Sequence, residues 1–324
     1  MVPLKIFTDS PLTESASQAL QEGVLPHEIL FSKHRVSSVL SRPAPDLSFE
    51  LADIAFGQPD VESIRKSERL KWLHLSTAGF TRYDTPEFRT FAKERGLIVT
   101  NSSAVYAAAC AEHVFAFMMA QSRLLPSALV SQTANGSEDW FHLRDNSISL
   151  RGKHVVILGF GGIAAELVKL LVPFDMKITA MRRIPRGDEG VPTVTSEHLS
   201  GALATADHVI NILPDNAASQ NFINAERISQ MKPGVVLYNI GRGTTVDQHA
   251  LLQSLRSAQI AAAWLDVTEP EPLPHTHPLR HEPTCHITPH IAGGHFNESG
   301  TLVRHFLKNF QLYQNNEPLC DRII

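Results

Sequence analysis

One stretch constrains the fold more than any other. Lys153-His154-Val155-Val156-Ile157-Leu158-Gly159-Phe160-Gly161-Gly162-Ile163-Ala164 is an apolar strand that runs into Gly-x-Gly-x-x-Ala and then into a helical pattern. Gly159 permits a tight turn, Gly161 lets the backbone approach a pyrophosphate with no Cβ in the way, and Ala164 is small enough for helix–strand packing. The helix that follows faces the phosphates with free N–H groups and the positive end of its dipole. In this strand–turn–helix context the motif predicts a dinucleotide site on Gly159, Phe160, Gly161, Gly162 and Ile163. A packing turn that binds nothing is the plainer alternative.

The next strand bears on which dinucleotide. Lys177–Met181 ends in Arg182-Arg183, with no Asp or Glu at the position where a carboxylate would grip a ribose 2′-hydroxyl. Guanidinium forks bind a 2′-phosphate that a carboxylate would repel. The expectation is NADP(H) in preference to NAD(H), with NAD(H) still possible and Arg182 and Arg183 as the readers. Two solvated arginines at a strand end are the alternative.

Around this motif the chain alternates strands and helices. Leu4–Thr8, Glu28–Phe31, Ile54–Gly57, Leu70–Leu75 and Leu97–Thr100 read as strands, with Thr13–Glu22, Val61–Ser67 and Pro86–Arg95 as helices between them. Gly96 is a helix stop. A long Ala-, Met- and Phe-rich helix, Ala104–Arg123, can be capped by Asn101, Ser102 or Ser103, and its composition predicts burial on more than one face. The polar stretch 131–149 carries a turn signal at Asn135-Gly136-Ser137. A second series then offers six strands: His154–Leu158, Lys177–Met181, His208–Leu213, Val235–Ile240, Ala261–Val267 and His286–Thr288. Ile163–Leu171 and His249–Ser257 are its clearest helices, and Gly300–Gln314 has a helical apolar stripe. The fold class is therefore α/β, two doubly wound parallel-sheet domains of Rossmann-like type with a cleft between them. Residues 1–101 with 296–324 form a flavodoxin-like substrate domain, and 102–295 the dinucleotide-binding domain.

Composition removes other classes. The 324 residues suit about two domains. A net charge of −4 with no basic block argues against a nucleic-acid partner. No run approaches the length of a membrane span, so no membrane is expected, and the start reaches Asp9 too early for a signal peptide. Cys110, Cys285 and Cys320 are odd in number and scattered, which fits a reducing cytoplasm rather than a disulfide scaffold. Sixteen histidines, six of them between His275 and His295, match no zinc spacing, so no metal is expected.

Three later segments each follow a strand, at the edge where open α/β sheets bind ligands. They are Asn239-Ile240-Gly241-Arg242-Gly243, Asp266-Val267-Thr268-Glu269-Pro270-Glu271-Pro272-Leu273 and Pro289-His290-Ile291-Ala292-Gly293-Gly294. An Arg, a Glu and a His thus arrive at one rim. Any one of them alone would be structural; three at successive strand ends point to chemistry. In the first domain, Ser76-Thr77-Ala78-Gly79 ends a strand in small residues, a ready anion nest.

With these motifs in order, the chain resembles the D-isomer-specific 2-hydroxyacid dehydrogenase family. Leu265-Asp266-Val267-Thr268, Pro270–Pro274 and His277-Pro278-Leu279 look most like its NADP-dependent glyoxylate/hydroxypyruvate reductases. The resemblance implies an oxidoreductase that reduces a small 2-oxo acid to the D-2-hydroxy acid with hydride from NADPH. It implies Arg242 for the substrate's carboxylate and carbonyl, His290 as general acid/base, and Glu271, rather than Glu269, to orient the imidazole. It also implies the Ala78 and Gly79 amides for the substrate carboxylate, Asp266 near the nicotinamide carboxamide, and Pro214 and Ile240 lining the cofactor. A homodimer built on the long helix and its neighbours is expected. Two rivals share the fold: a non-catalytic, corepressor-like dinucleotide sensor, and a phosphite-type dehydrogenase. Trp264 replaces a small residue of the family pattern, and Trp140 has no assigned role.

Overall fold

The computed structural model describes residues 3–36, 43–132 and 134–324. Contacts divide the chain into two compact units. Unit 1 is Met1–Tyr106 with His295–Ile324, and unit 2 is Ala107–Gly294. The division falls inside the long helix, whose first turn belongs to unit 1.

Unit 1 is a five-stranded parallel sheet: β1 (Lys5–Thr8), β2 (Glu28–Phe31), β3 (Ile54–Gly57), β4 (Trp72–Leu75) and β5 (Ile98–Thr100), in the order β2-β1-β3-β4-β5. β3 and β4 are buried at every residue, as strands covered on both faces must be. Helix capping follows the sequence signals. Thr13 accepts the Ala16 N–H ahead of Glu14–Gly23, Thr85 accepts the Phe88 N–H ahead of Pro86–Arg95, and Gly96 ends the latter in the left-handed region at φ 67°. The last helix, Glu298–Gln314, lays Phe306 on Phe56 and Trp72, with ring centroids 4.7 and 5.3 Å apart.

The chain end completes unit 1. The Ile323 N–H donates to the Val99 carbonyl (2.9 Å), and the Val99 N–H donates to Ile324 (3.2 Å). The Asp321 carboxylate accepts the Ala104 N–H (2.8 Å), while Asn101 Oδ1 accepts that of Ser103 (3.2 Å). The long helix is therefore capped partly by a residue more than two hundred positions away, which no local pattern could show.

Unit 2 is a seven-stranded parallel sheet: β6 (His154–Leu158), β7 (Lys177–Met181), β8 (Thr193–Val194), β9 (His208–Asn211), β10 (Val235–Asn239), β11 (Ile260–Leu265) and β12 (Cys285–Ile287), in the order β12-β11-β10-β9-β6-β7-β8. The sequence offered six of these strands; β8 is the addition. The topological switch lies between β6 and β9, where doubly wound sheets bind dinucleotides. Leu158, Val209, Leu237 and Leu265 line its apolar core with Leu251 and Leu255 of the helix Gln248–Arg256.

One expectation needs correction, and it concerns the helix Ser103–Ser122. By length and composition alone this helix could cross a membrane, a test that core helices also pass. Its fit to unit 2 is that of a core helix, with Phe117 packed on Trp264 (4.9 Å) and Phe115 on Phe174 (5.2 Å). Within one chain it also buries a single stripe, Ala107, Cys110, Ala111, Val114, Phe117 and Met118, rather than several faces. The polar stretch after it forms a helix, Glu138–Asn146, capped by Ser137.

Candidate active site

The phosphate turn has the space its glycines imply. Gly159 sits at φ 98°, donates its N–H to Met181, and would bring a Cβ within 3.3 Å of the Ile212 carbonyl. Gly161 precedes the helix Gly162–Leu171, and a Cβ on it would meet nothing within 4 Å. Ala164 is fully buried beneath the turn. Open space above a glycine at a helix N-terminus, with the amides of Gly162 and Ile163 in the first turn, fits a pyrophosphate.

At the end of β7 the structure adds a residue the sequence reading missed. Arg182 donates to the buried carboxylate of Glu189 (3.0 Å), which also accepts the N–H groups of Arg186 and Gly187 (2.8 Å each). Glu189 thereby folds the loop that leads into β8. Hydrogen bonds hold its carboxyl below the ordinary range, the Arg186 amide first. Arg183 and Arg186 stay exposed. The run Arg186-Gly187-Asp188-Glu189-Gly190 reads as a solvated loop, so nothing local marked Glu189 as buried.

Across the switch point, Asn211 ties β9 to β10 by donating to Asn239 Oδ1 (3.0 Å) and Thr245 Oγ1 (2.6 Å). Pro214 is exposed and its carbonyl accepts from Ser219, whereas Ile240 is buried. Gly241 and Gly243 flank Arg242 because no side chain fits. A Cβ on Gly241 would lie 2.6 Å from the Leu213 carbonyl oxygen, and one on Gly243 2.0 Å from that of Thr268. The Arg242 carbonyl accepts from Asn239 Nδ2 (3.1 Å) and Thr245 Oγ1 (2.5 Å), and its guanidinium donates to the Gly241 carbonyl (2.7 Å). Burial pulls the Arg242 guanidinium below its ordinary value, opposed by the carboxylates of Glu271 and Asp215. Burial also pushes the nearby Cys110 thiol up to about 12.

His290 Nδ1 meets Glu271 Oε1 in a short hydrogen bond. The Glu269 side chain makes no such contact; its backbone is held by Gln248 instead. His290 adopts φ 54°, which a non-glycine residue takes only when its surroundings enforce it. Asp266 supplies that constraint. Its carbonyl accepts the His290 N–H (2.9 Å), and its carboxylate accepts Thr288 Oγ1 (2.5 Å) and the amides of Ile291 (2.9 Å) and Ala292 (2.8 Å). His113 Nε2 lies 3.7 Å from the same carboxylate. Asp266 thus ties down the turn that carries His290. Trp264 fills the space below, donating to Gln121 Oε1 (2.8 Å) and packing on Phe117 and His286.

In unit 1 the strand-end turn is held from its carbonyl side. The carbonyls of Leu75, Thr77, Ala78 and Gly79 accept from Ser102 Oγ (2.7 Å), Ser102 N (3.1 Å), Asn101 Nδ2 (2.7 Å) and Thr77 Oγ1 (2.8 Å) respectively. Among the described residues, no acceptor meets the amides of Ala78 or Gly79. Behind the turn, Thr100 Oγ1 accepts from Trp72 Nε1 and lies 2.7 Å from His74 Nδ1, while His74 Nε2 lies 3.3 Å from Ser102 Oγ. Because the Ser102 hydroxyl donates to Leu75, His74 carries its proton on Nε2. Burial drives that imidazole well below its ordinary value and keeps it neutral.

Comparison with known proteins bears on this arrangement. Residues 115–292 match the NAD-binding domain of the D-isomer specific 2-hydroxyacid dehydrogenases. The chain belongs to that family. Within it, this dehydrogenase is 32% identical over 236 residues to a glyoxylate reductase of Thermofilum pendens, covering 72% of this chain and 68% of the relative. It is 31% identical over 229 residues to the glyoxylate reductase/hydroxypyruvate reductase of Homo sapiens, covering 70% of each. A glyoxylate/hydroxypyruvate reductase from Sinorhizobium meliloti, solved with NADP and malonate, superposes with a TM-score of 0.74 at 24% identity, covering 100% of this chain and 97% of that one. This dehydrogenase is an NAD(P)-dependent oxidoreductase with two Rossmann-like parallel-sheet units.

Proposed function

We propose that this dehydrogenase reduces a small 2-oxo acid, glyoxylate or hydroxypyruvate in type, to the D-2-hydroxy acid, and that it prefers NADPH. The observation that carries the reading is the His290–Glu271 hydrogen bond on a turn fixed by Asp266. Bound at Gly159–Ile163, the nicotinamide cofactor supplies the hydride. His290 Nε2 delivers the proton to the carbonyl oxygen, because Nδ1 is committed to Glu271. Glu271 fixes the ring's orientation and tautomer, as a carboxylate does for a catalytic imidazole. Arg242 holds the carboxylate and the carbonyl oxygen with a fork of donors. The Ala78 and Gly79 amides take the substrate carboxylate, which makes unit 1 the substrate domain and unit 2 the cofactor domain. The relatives named above support the substrate class.

Cofactor preference rests on Arg182 and Arg183, with Glu189 anchoring the first of them. Loss of NADPH absorbance with hydroxypyruvate, run beside NADH, is expected to show faster turnover with NADPH. Replacing the pair by Arg182→Asp and Arg183→Ser is expected to reverse that ratio. An unchanged ratio would remove the arginines from the reading, and no turnover with either cofactor would remove the reaction.

The same reading extends to assembly as a homodimer. The helices Leu125–Ser131 and Glu138–Asn146 bury no residue within one chain, yet they present Leu129, Val130 and Phe141 to solvent. A helix with exposed apolar residues and no buried face wants a partner. Light scattering is expected to give twice the 35.8 kDa of one chain; a monomer mass at micromolar concentration would count against it.

A further inference from the structure

The carboxyl edge of the unit 1 sheet holds more polar groups than a carboxylate nest needs. Its strand order, β2-β1-β3-β4-β5, places the topological switch between β1 and β3, where open α/β sheets take ligands. Asp9 and Ser10 follow β1 and Gln58 follows β3; all three are buried. Gly57, at φ 147°, leaves room for Asp9, whose Oδ1 occupies the place a Cβ would take and accepts the Gln58 N–H (2.8 Å). The Ser10 hydroxyl is buried and has no hydrogen-bond partner among the described residues. The side-chain amide of Gln58 also bonds to no described residue. Buried polar groups in native proteins are paired, so an orphaned hydroxyl calls for an explanation.

We propose that this edge is the pocket for the substituent on the 2-oxo acid, and that it selects a neutral, hydroxyl-bearing substituent over an aliphatic one. The inference rests on reading the Ala78–Gly79 turn, at the end of β4, as the carboxylate site. From there the ends of β3 and β1 lie one and two strand spacings away, about 5 and 10 Å. A carboxylate at β4 therefore leaves the rest of a small substrate over Gln58, toward Asp9 and Ser10. An aliphatic group there would leave the Ser10 hydroxyl and the Gln58 amide stranded; a hydroxyl can donate to one and accept from the other. Asp9 and Arg82 stand close enough to interact, Arg82 lowering the Asp9 pKa against the burial that raises it to about 6, so the two offset each other and the edge has no net charge to draw an ionic substituent.

The test compares hydroxypyruvate with pyruvate, which differ by one hydroxyl. A site built to bond a hydroxyl discriminates strongly against the analogue that lacks it, so the ratio of kcat/KM is expected to favour hydroxypyruvate by about 100-fold or more. Ser10→Ala is expected to lower that ratio about tenfold, and Gln58→Leu to lower it as well. A wild-type ratio near one overturns the inference while leaving 2-oxo acid reduction standing. A high ratio unchanged in both variants overturns the assignment of these residues. No turnover of any 2-oxo acid overturns the inference together with the reading beneath it.

Discussion

His290→Ala is expected to lower kcat with hydroxypyruvate by about 10²- to 10⁴-fold, the usual contribution of a positioned general acid. Binding of NADPH, followed by its fluorescence, should stay within about twofold, because His290 lies outside the Gly159–Ile163 turn. Two features make the effect large. Its Nδ1 is bound to Glu271, so one proton site is fixed and the other is free to act. Its backbone is held at positive φ by Asp266, which leaves the ring little freedom to be replaced by a neighbour. Glu271→Gln should fall between wild type and His290→Ala, since an amide oxygen can still accept from Nδ1 but holds the ring with a weaker, uncharged hydrogen bond. Turnover of the alanine variant near wild type would end the acid/base assignment.

Gly243→Ala is the second large effect, and it acts through space rather than chemistry. The added methyl would stand 2.0 Å from the Thr268 carbonyl oxygen and 2.7 Å from the Glu269 nitrogen. Both are backbone atoms, so relief requires shifting either the Arg242 segment or the segment that leads to Glu271. Overpacking of this kind costs about 3 kcal/mol or more, which for a unit of this size lowers Tm by roughly 6–12 °C. Scanning calorimetry reads the loss directly. Any folded fraction should also be slow, because Arg242 and Glu271 sit on the two segments that collide. A variant with wild-type Tm and wild-type turnover would show that the contact relaxes without cost.

Much of this molecule is legible in its sequence, for physical reasons that differ by element. β3 and β6 were bounded correctly because strands buried on both faces are short apolar runs with polar ends, and β7 and the half-exposed edge strand β2 carry apolar runs of the same length. Glu271 was separable from Glu269 only through its Glu-Pro-Leu context, and the hydrogen bond to His290 agrees with that choice. What was hidden is mostly long-range. Asp266 could be placed near the site but not seen as the tie for residues 288–292, because its partners lie 22 to 26 positions away. Glu189 sits in a charged run whose composition says solvent, yet its carboxylate is enclosed by its own loop. β8 is two residues long and exists only because that loop folds back. The helix Glu138–Asn146 did carry a signal, Ser137 followed by Glu138 and Asp139, which the turn residues before it outweighed.

The return of the chain end to unit 1 has a consequence for synthesis. Unit 2 is one continuous stretch, complete once residue 294 has left the ribosome. Unit 1 begins first but finishes last, because Phe306 must stack on Phe56 and Trp72 and Asp321 must cap the helix beginning at Ser103. At ordinary elongation rates the roughly two hundred residues between its halves take about 10–40 s to translate. Through that interval the β3–β4 surface waits without its covering helix, apolar and open to wrong partners. The second domain in the chain is therefore placed to fold first and the first to fold last. The need for a chaperone would be greatest over β3 and β4, between the emergence of residue 106 and that of residue 295.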